Sequence, residues 1–206
     1  MAPQLLECAS TVKHALRAGV LGIAFFAAST TAHALDVSQL MGWLAQAREG
    51  SATFIEERIV NGFDAPMVAS GELYFKAPDV FERRTLKPSR ESMSVHGNNV
   101  TLARGNLKRS TTLDAAPEAA AIVSAIRGTL TGDGKSLAEH YRVALSGEAE
   151  RWLLDLTPRD EQLAANVRIV QLRGNQGVVQ SVEVWFANGD RSVMKITPKP
   201  PSASRP

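Results

Sequence analysis

The sequence predicts an α+β protein: a strongly curved antiparallel sheet, curled into a barrel or half-barrel, with two short helical regions that cover one face. Three observations predict it. Downstream of an N-terminal apolar run, most segments alternate with a period of two and stop at Asn-Gly, Gly-rich or Pro-containing turns. Only two short regions switch to helical spacing. The alternating segments number roughly ten, too many for an open sheet to stay flat, so curling into a barrel or half-barrel follows.

Residues 1–34 read as a signal peptide. Lys13 and Arg17 precede the apolar run Ala18 to Ala28, and Ala32-His33-Ala34 supplies a small-x-small cleavage pattern, with processing expected after Ala34. The run, about eleven residues, is shorter than the roughly 20 a membrane-spanning helix needs. The single cysteine, Cys8, lies upstream of it. The exported chain is therefore expected to carry no disulfide, no thiolate nucleophile and no cysteine-based metal site. Residues 35–197 are expected to form one domain, since about 170 residues suffice for a single core.

Asp36 to Gly50 is the first expected helix, with Val37, Leu40, Met41, Leu44 and Ala47 on one stripe, Asp36 as cap and Gly50 as stop. Strands follow from Ala52 to the turn at Asn61-Gly62, from Met67 to Lys76, and from Val80 to Lys87, with Pro78 and Pro88 ending the last two. Arg90 to Val95 and Val100 to Arg104 read as a hairpin around Gly97-Asn98-Asn99, and Leu107 to Leu113 as one more strand. Ala119 to Arg127 is the second expected helix, opened by Pro117, faced by Ile122, Val123 and Ile126, and broken at Gly128. Leu137 to His140 adds a helical turn. Tyr141 to Leu145, Trp152 to Leu156, Val167 to Arg173, Val178 to Phe186 and Ser192 to Ile196 complete the sheet, with Asn188-Gly189 turning the last hairpin. Pro198 to Pro206 reads as a disordered tail or a docked strap.

Formal charge is +2, with basic residues scattered and no aromatic platform beside them, so nucleic-acid binding is not expected. Gly132-Asp133-Gly134-Lys135-Ser136 resembles the end of a phosphate loop, but Thr129 stands where the motif needs its first glycine, and the segment reads as a turn. His96 and His140 are far apart and offer no metal site. Glu56 and Glu57, adjacent in a strand, point to opposite faces and make no catalytic pair; salt bridges and a solvated outer face account for them. Neither an enzyme nor a cofactor is expected.

The class in surplus is apolar. A curled sheet has more concave surface than two small helices fill, and such a surface suits an apolar ligand. The residues expected to line that cavity are Phe54, Leu73, Phe75, Phe81, Met93, Ile122, Ile126, Leu154 and Trp185.

The order of motifs carries a resemblance. A helix, then Ala52-Thr53-Phe54 opening a strand, then Ser70-Gly71-Glu72-Leu73 running to Lys76-Ala77-Pro78, then Leu154-Asp155-Leu156-Thr157-Pro158 and the Asn188-Gly189 hairpin, resembles the LolA-type periplasmic outer-membrane lipoprotein carriers, in a LolA-related branch. The resemblance implies that the strongly curved antiparallel sheet forms an incomplete β-barrel (LolA/LolB-like) with short helices as a lid over the concave face, in a monomeric periplasmic carrier that holds acyl chains between barrel and lid. It also implies cargo, a lipid or acylated lipoprotein, taken from an inner-membrane exporter and handed to an outer-membrane acceptor. One position departs: Ala77 stands where typical carriers place an arginine that ties the lid shut, so the expected cargo extends to other acylated or polyunsaturated lipids. A sensor or adaptor module of the same fold is the alternative reading, and a cell-envelope hydrolase a further one.

Overall fold

The computed structural model describes residues 35–200; the expected signal segment and residues 201–206 of the Pro-rich tail lie outside them. Eleven strands form one sheet: β1 (Glu49–Ile59), β2 (Met67–Lys76), β3 (Val80–Lys87), β4 (Glu91–His96), β5 (Asn99–Arg104), β6 (Leu107–Thr112), β7 (Tyr141–Glu148), β8 (Arg151–Pro158), β9 (Val167–Asn175), β10 (Val178–Phe186) and β11 (Arg191–Pro198). Their order is β6-β5-β4-β3-β2-β1-β11-β10-β9-β8-β7. The first and last strands pair antiparallel in the middle, from Ala52 opposite Pro198 to Ile59 opposite Arg191. Each half is then a run of antiparallel hairpins, and β6 and β7 are left as unpaired edges. The sheet is not closed, as expected for an incomplete barrel.

Among the described residues four α-helices accompany it, α1 (Val37–Leu44), α2 (Pro117–Thr131), α3 (Gly134–His140) and α4 (Glu161–Ala164), with one 3-10 turn at Leu113–Ala115. Asp36 caps α1, its carboxylate accepting from the Gln39 amide at 2.8 Å. The helix ends at Leu44 rather than Gly50, because Glu49 and Gly50 are already paired to β2. Gly50 fits there for a steric reason: a Cβ would lie 2.8 Å from the Phe75 ring. Helix α2 passes through Gly128 and stops at Gly132, whose φ of 69° is the left-handed cap that glycine accepts most readily. Four helices stand where two regions and a turn were expected, because α4 is only one turn long and shows little periodicity.

Cross-strand partners share a face, so the register sorts the side chains. The inner face carries Val143, Leu154, Leu156, Val170, Leu172, Val182 and Val184. With Trp152, Tyr141 and Phe186 they meet Leu40, Met41 and Leu44 of α1, Ala121 and Ala125 of α2, and Leu137 of α3 in the main core. A second, smaller cluster joins Val95, Val100 and Leu113 to Val123 of α2. Helix α2 therefore spans both clusters, firmly on the β7–β10 side and thinly on the β3–β5 side.

Candidate ligand-binding face

The inner rows of β1–β5 form the apolar wall opposite the thin side of α2. Phe54 lies opposite Gly71, Leu73 opposite Ala52 and Arg83, Phe75 opposite Phe81, Phe81 opposite Val95, and Met93 opposite Arg83 and Leu102. Phe54 is buried, while Leu73, Phe75, Phe81 and Met93 are half-buried. From α2, Ile126 meets this wall, sharing a gap with Phe75, Phe81, Val123 and Leu130. Ile122 instead packs against the main core, and Leu154 is fully buried within it.

Trp185 is the expected cavity residue that does not belong. It pairs with Ile169 and Arg191 on the outer face, is 39% exposed, and has the Arg191 guanidinium 4.6 Å from its ring centroid. The reason is alternation along β10: Val182, Val184 and Phe186 point inward, so Trp185 between them points outward.

The expected hollow is almost closed. The gap beneath α2 has a volume of about 20 Å³, room for roughly one water. A wider cleft of about 260 Å³ is polar, bordered by Ser51, Glu72, Tyr74, Glu82, Arg84 and Lys199, with Leu73 as its one aliphatic side chain. Lys199 occupies its rim, donating to Glu72 at 2.6 Å while its amide donates to the Ser51 carbonyl at 2.8 Å. The first residues of the Pro-rich tail are thus docked against the sheet.

Polar groups interrupt the apolar wall. Arg83 donates to Glu56 at 2.5 Å, and Ser192 donates to the other oxygen of Glu56 at 2.5 Å. The same guanidinium covers the Phe54 ring, 4.6 Å from its centroid. Glu56 is thus an inner-face group held in a salt bridge, while Glu57 is exposed on the opposite face, matching the two expected roles of a salt bridge and a solvated face. The readable signal was the position of Glu56 two residues from Phe54, on the same side of one strand.

Two attachments hold α2 down. On the main-core side the Tyr141 hydroxyl donates to the Ala121 carbonyl at 2.6 Å and shares a 2.6 Å hydrogen bond with Ser124. Burial pushes the Tyr141 phenol above its ordinary value, against the Ser124 hydrogen bond that lowers it. On the thin side Arg127 donates to the Gly97 carbonyl in the β4–β5 turn at 2.7 Å. Ala77 borders the gap, with its amide bound to the Arg48 carbonyl. The fastening arginine is carried by the helix rather than by the strand end.

Among the described residues no group of three or more His, Cys, Asp or Glu is placed to hold a metal ion. His96 and His140 are exposed at the ends of β4 and α3. No helix among them is long and apolar enough to cross a membrane.

Solved structures of similar fold include a LolA superfamily protein from Nitrosomonas europaea, at 9% identity and a TM-score of 0.45, covering 79% of this chain and 92% of that one. They also include the MucA/MucB complex of Pseudomonas aeruginosa, at 17% identity and 0.44, covering 79% and 56%. A structure of MucB alone matches at 20% identity and 0.48, covering 83% and 60%, so the chain spans little more than half of MucB. A search of curated proteins found no match. Residues 27–197 match the family described as outer membrane lipoprotein carrier protein LolA-like, and the chain belongs to that family.

Proposed function

We propose that the chain is a periplasmic, non-catalytic carrier that binds the acyl chains of a lipoprotein or other lipid between α2 and the inner rows of β2–β4. It would receive that cargo from an inner-membrane exporter and release it to an outer-membrane acceptor. The observation that carries this reading is the uneven seat of α2. Its β7–β10 side is anchored in the main core, whereas on its other side Val123 meets three buried residues, Val95, Val100 and Leu113, and Arg127 adds one hydrogen bond. Ligand pockets for molecules of this kind need roughly 300 Å³ or more, so the gap of about 20 Å³ must widen by displacement of α2. Each methylene transferred from water to the apolar wall contributes about 0.8 kcal/mol, which can offset that displacement.

A protein-binding module of the same fold is the second reading, and the narrow gap favours it. Native mass spectrometry of the protein purified from periplasm decides between them. Co-purified lipid that is lost on Ile126→Glu supports carriage. A clean apo mass, together with failure to displace a fluorescent fatty acid, supports the module.

A further inference from the structure

We propose that the free edge of β6 is a docking strand for an acidic, extended peptide segment of a partner protein. Among the described residues strand β6 pairs only with β5, and its first four residues, Leu107 to Ser110, are all exposed. The two-residue turn Gly105-Asn106 fixes which backbone groups are free. In such a hairpin the flanking pair, Arg104 and Leu107, is hydrogen-bonded, and bonding alternates from there. Leu107, Arg109 and Thr111 thus face β5, while the N–H and C=O groups of Lys108, Ser110 and Thr112 point away from the sheet. The Thr112 carbonyl opens the 3-10 turn Leu113–Ala115, which leaves three donors and two acceptors aligned for one more antiparallel strand.

Charge selects the occupant. Among the described residues Lys108 and Arg109 take part in no ion pair, whereas the neighbouring Arg104 is held by Glu91 at 3.1 Å. They project to opposite faces of the strand, so an added strand meets a cation on each side. Leu107, 79% exposed, and Leu102, 43% exposed, lie on the same face as Arg109 and offer an apolar contact for one or two of its side chains. A second copy of β6 is disfavoured: pairing the edge with itself gathers two Lys108 and two Arg109 within about one Debye length with no carboxylate between them. A strand alternating acidic and β-branched residues sets its carboxylates on the Lys108 face and its apolar side chains against Leu107 and Leu102 on the other.

The test uses the full chain, uniformly ¹⁵N-labelled, titrated with an acetylated and amidated heptapeptide of alternating glutamate and valine. Saturable amide shifts confined to β5 and β6, with slowed exchange at Lys108, Ser110 and Thr112, are expected. Ser110→Pro removes a free N–H without touching the β5 ladder and should abolish binding while the remaining spectrum stays folded. The double variant K108E/R109E should weaken binding by about tenfold or more, and a heptapeptide of alternating lysine and valine should not bind. No saturable shift, shifts centred beneath α2 or on β7, or unchanged binding by Ser110→Pro would each overturn the proposal. Concentration-dependent broadening of β6 amides without peptide would overturn it in favour of a second copy of the chain.

Discussion

Arg127 reaches out of α2 to the Gly97 carbonyl in the β4–β5 turn, 2.7 Å away, and ties the thin side of the lid to the sheet. A hydrogen bond from a charged donor contributes more than a neutral one, and this one is half-buried. Replacing Arg127 by Gln should lower global stability by only about 1 kcal/mol. The larger effect is local: hydrogen exchange at Ile126, Arg127 and Leu130 should speed up while that of β8 and β9 is unchanged. If the lid opens as proposed, fatty-acid uptake in a stopped-flow displacement assay should also be faster than in the wild type.

Phe75 and Leu154 were both expected to line the cavity, and the structure separates them. Phe75 is half-buried against the gap, whereas Leu154 is fully buried between β7, β9 and the helices. A charge at Leu154 leaves a desolvated carboxylate with no partner, so Leu154→Glu should fail to fold cooperatively. Phe75→Glu can turn its carboxylate toward the edge of the gap and should fold, losing about 2–3 kcal/mol of stability. Circular dichroism separates the two outcomes, and the folded Phe75 variant should retain no co-purified lipid.

The period-two segments made the sheet legible, and Pro78, Pro88 and Asn188-Gly189 placed its turns, because those residues restrict the backbone locally. Inward-facing Phe54, Leu73, Phe75, Phe81 and Met93 follow from alternation once a strand is placed. The outward side of Trp185 was not legible: alternation sets it opposite Val184 and Phe186, but which of the two rows of β10 faces the core depends on its pairing with β9 and on the helices. Nor was the width of the gap, since that depends on how far α2 settles onto the sheet. The Arg127 attachment was hidden for the same reason. Its acceptor is a backbone carbonyl thirty positions away in sequence.

Glu183 on the outer face is almost completely buried, gripped by Arg191 at 2.7 Å and Arg173 at 3.1 Å. Burial pushes its carboxyl up, but the hydrogen bonds and charge of Arg191 and Arg173 pull it further down, leaving it below the usual carboxylate range. A carboxyl depressed in the folded state contributes stability that is complete above its unfolded value and lost as pH falls through its folded one. The urea midpoint should therefore fall as pH drops below the ordinary carboxylate range, and Glu183→Gln should flatten that fall. At neutral pH the variant should cost about 1–2 kcal/mol, because both arginines can turn to solvent. A pH profile identical to wild type would show that Glu183 is not the group responsible.

Gly128 sits inside α2 where alanine would be the better helix former, and its neighbour explains the choice. A Cβ there would approach Leu137 Cγ and Cδ2 at 2.7 and 2.8 Å, and Leu137 is only 1% exposed in the core beneath α3. Two effects oppose each other in Gly128→Ala. Helix propensity favours alanine by about 1 kcal/mol, and overpacking a buried leucine costs about 1–3 kcal/mol. The clash should prevail, with a net loss of about 1 kcal/mol and raised exchange in α3, because α2 and α3 can no longer close together. Trimming the partner tests the cause. Leu137→Ala alone leaves a cavity, but added to Gly128→Ala it makes room for the new methyl group, so the double variant should be more stable than the sum of the single effects by at least about 1 kcal/mol. Strict additivity in that cycle would mean that Gly128 is tolerated rather than required, and that the α2–α3 contact does not depend on its missing side chain.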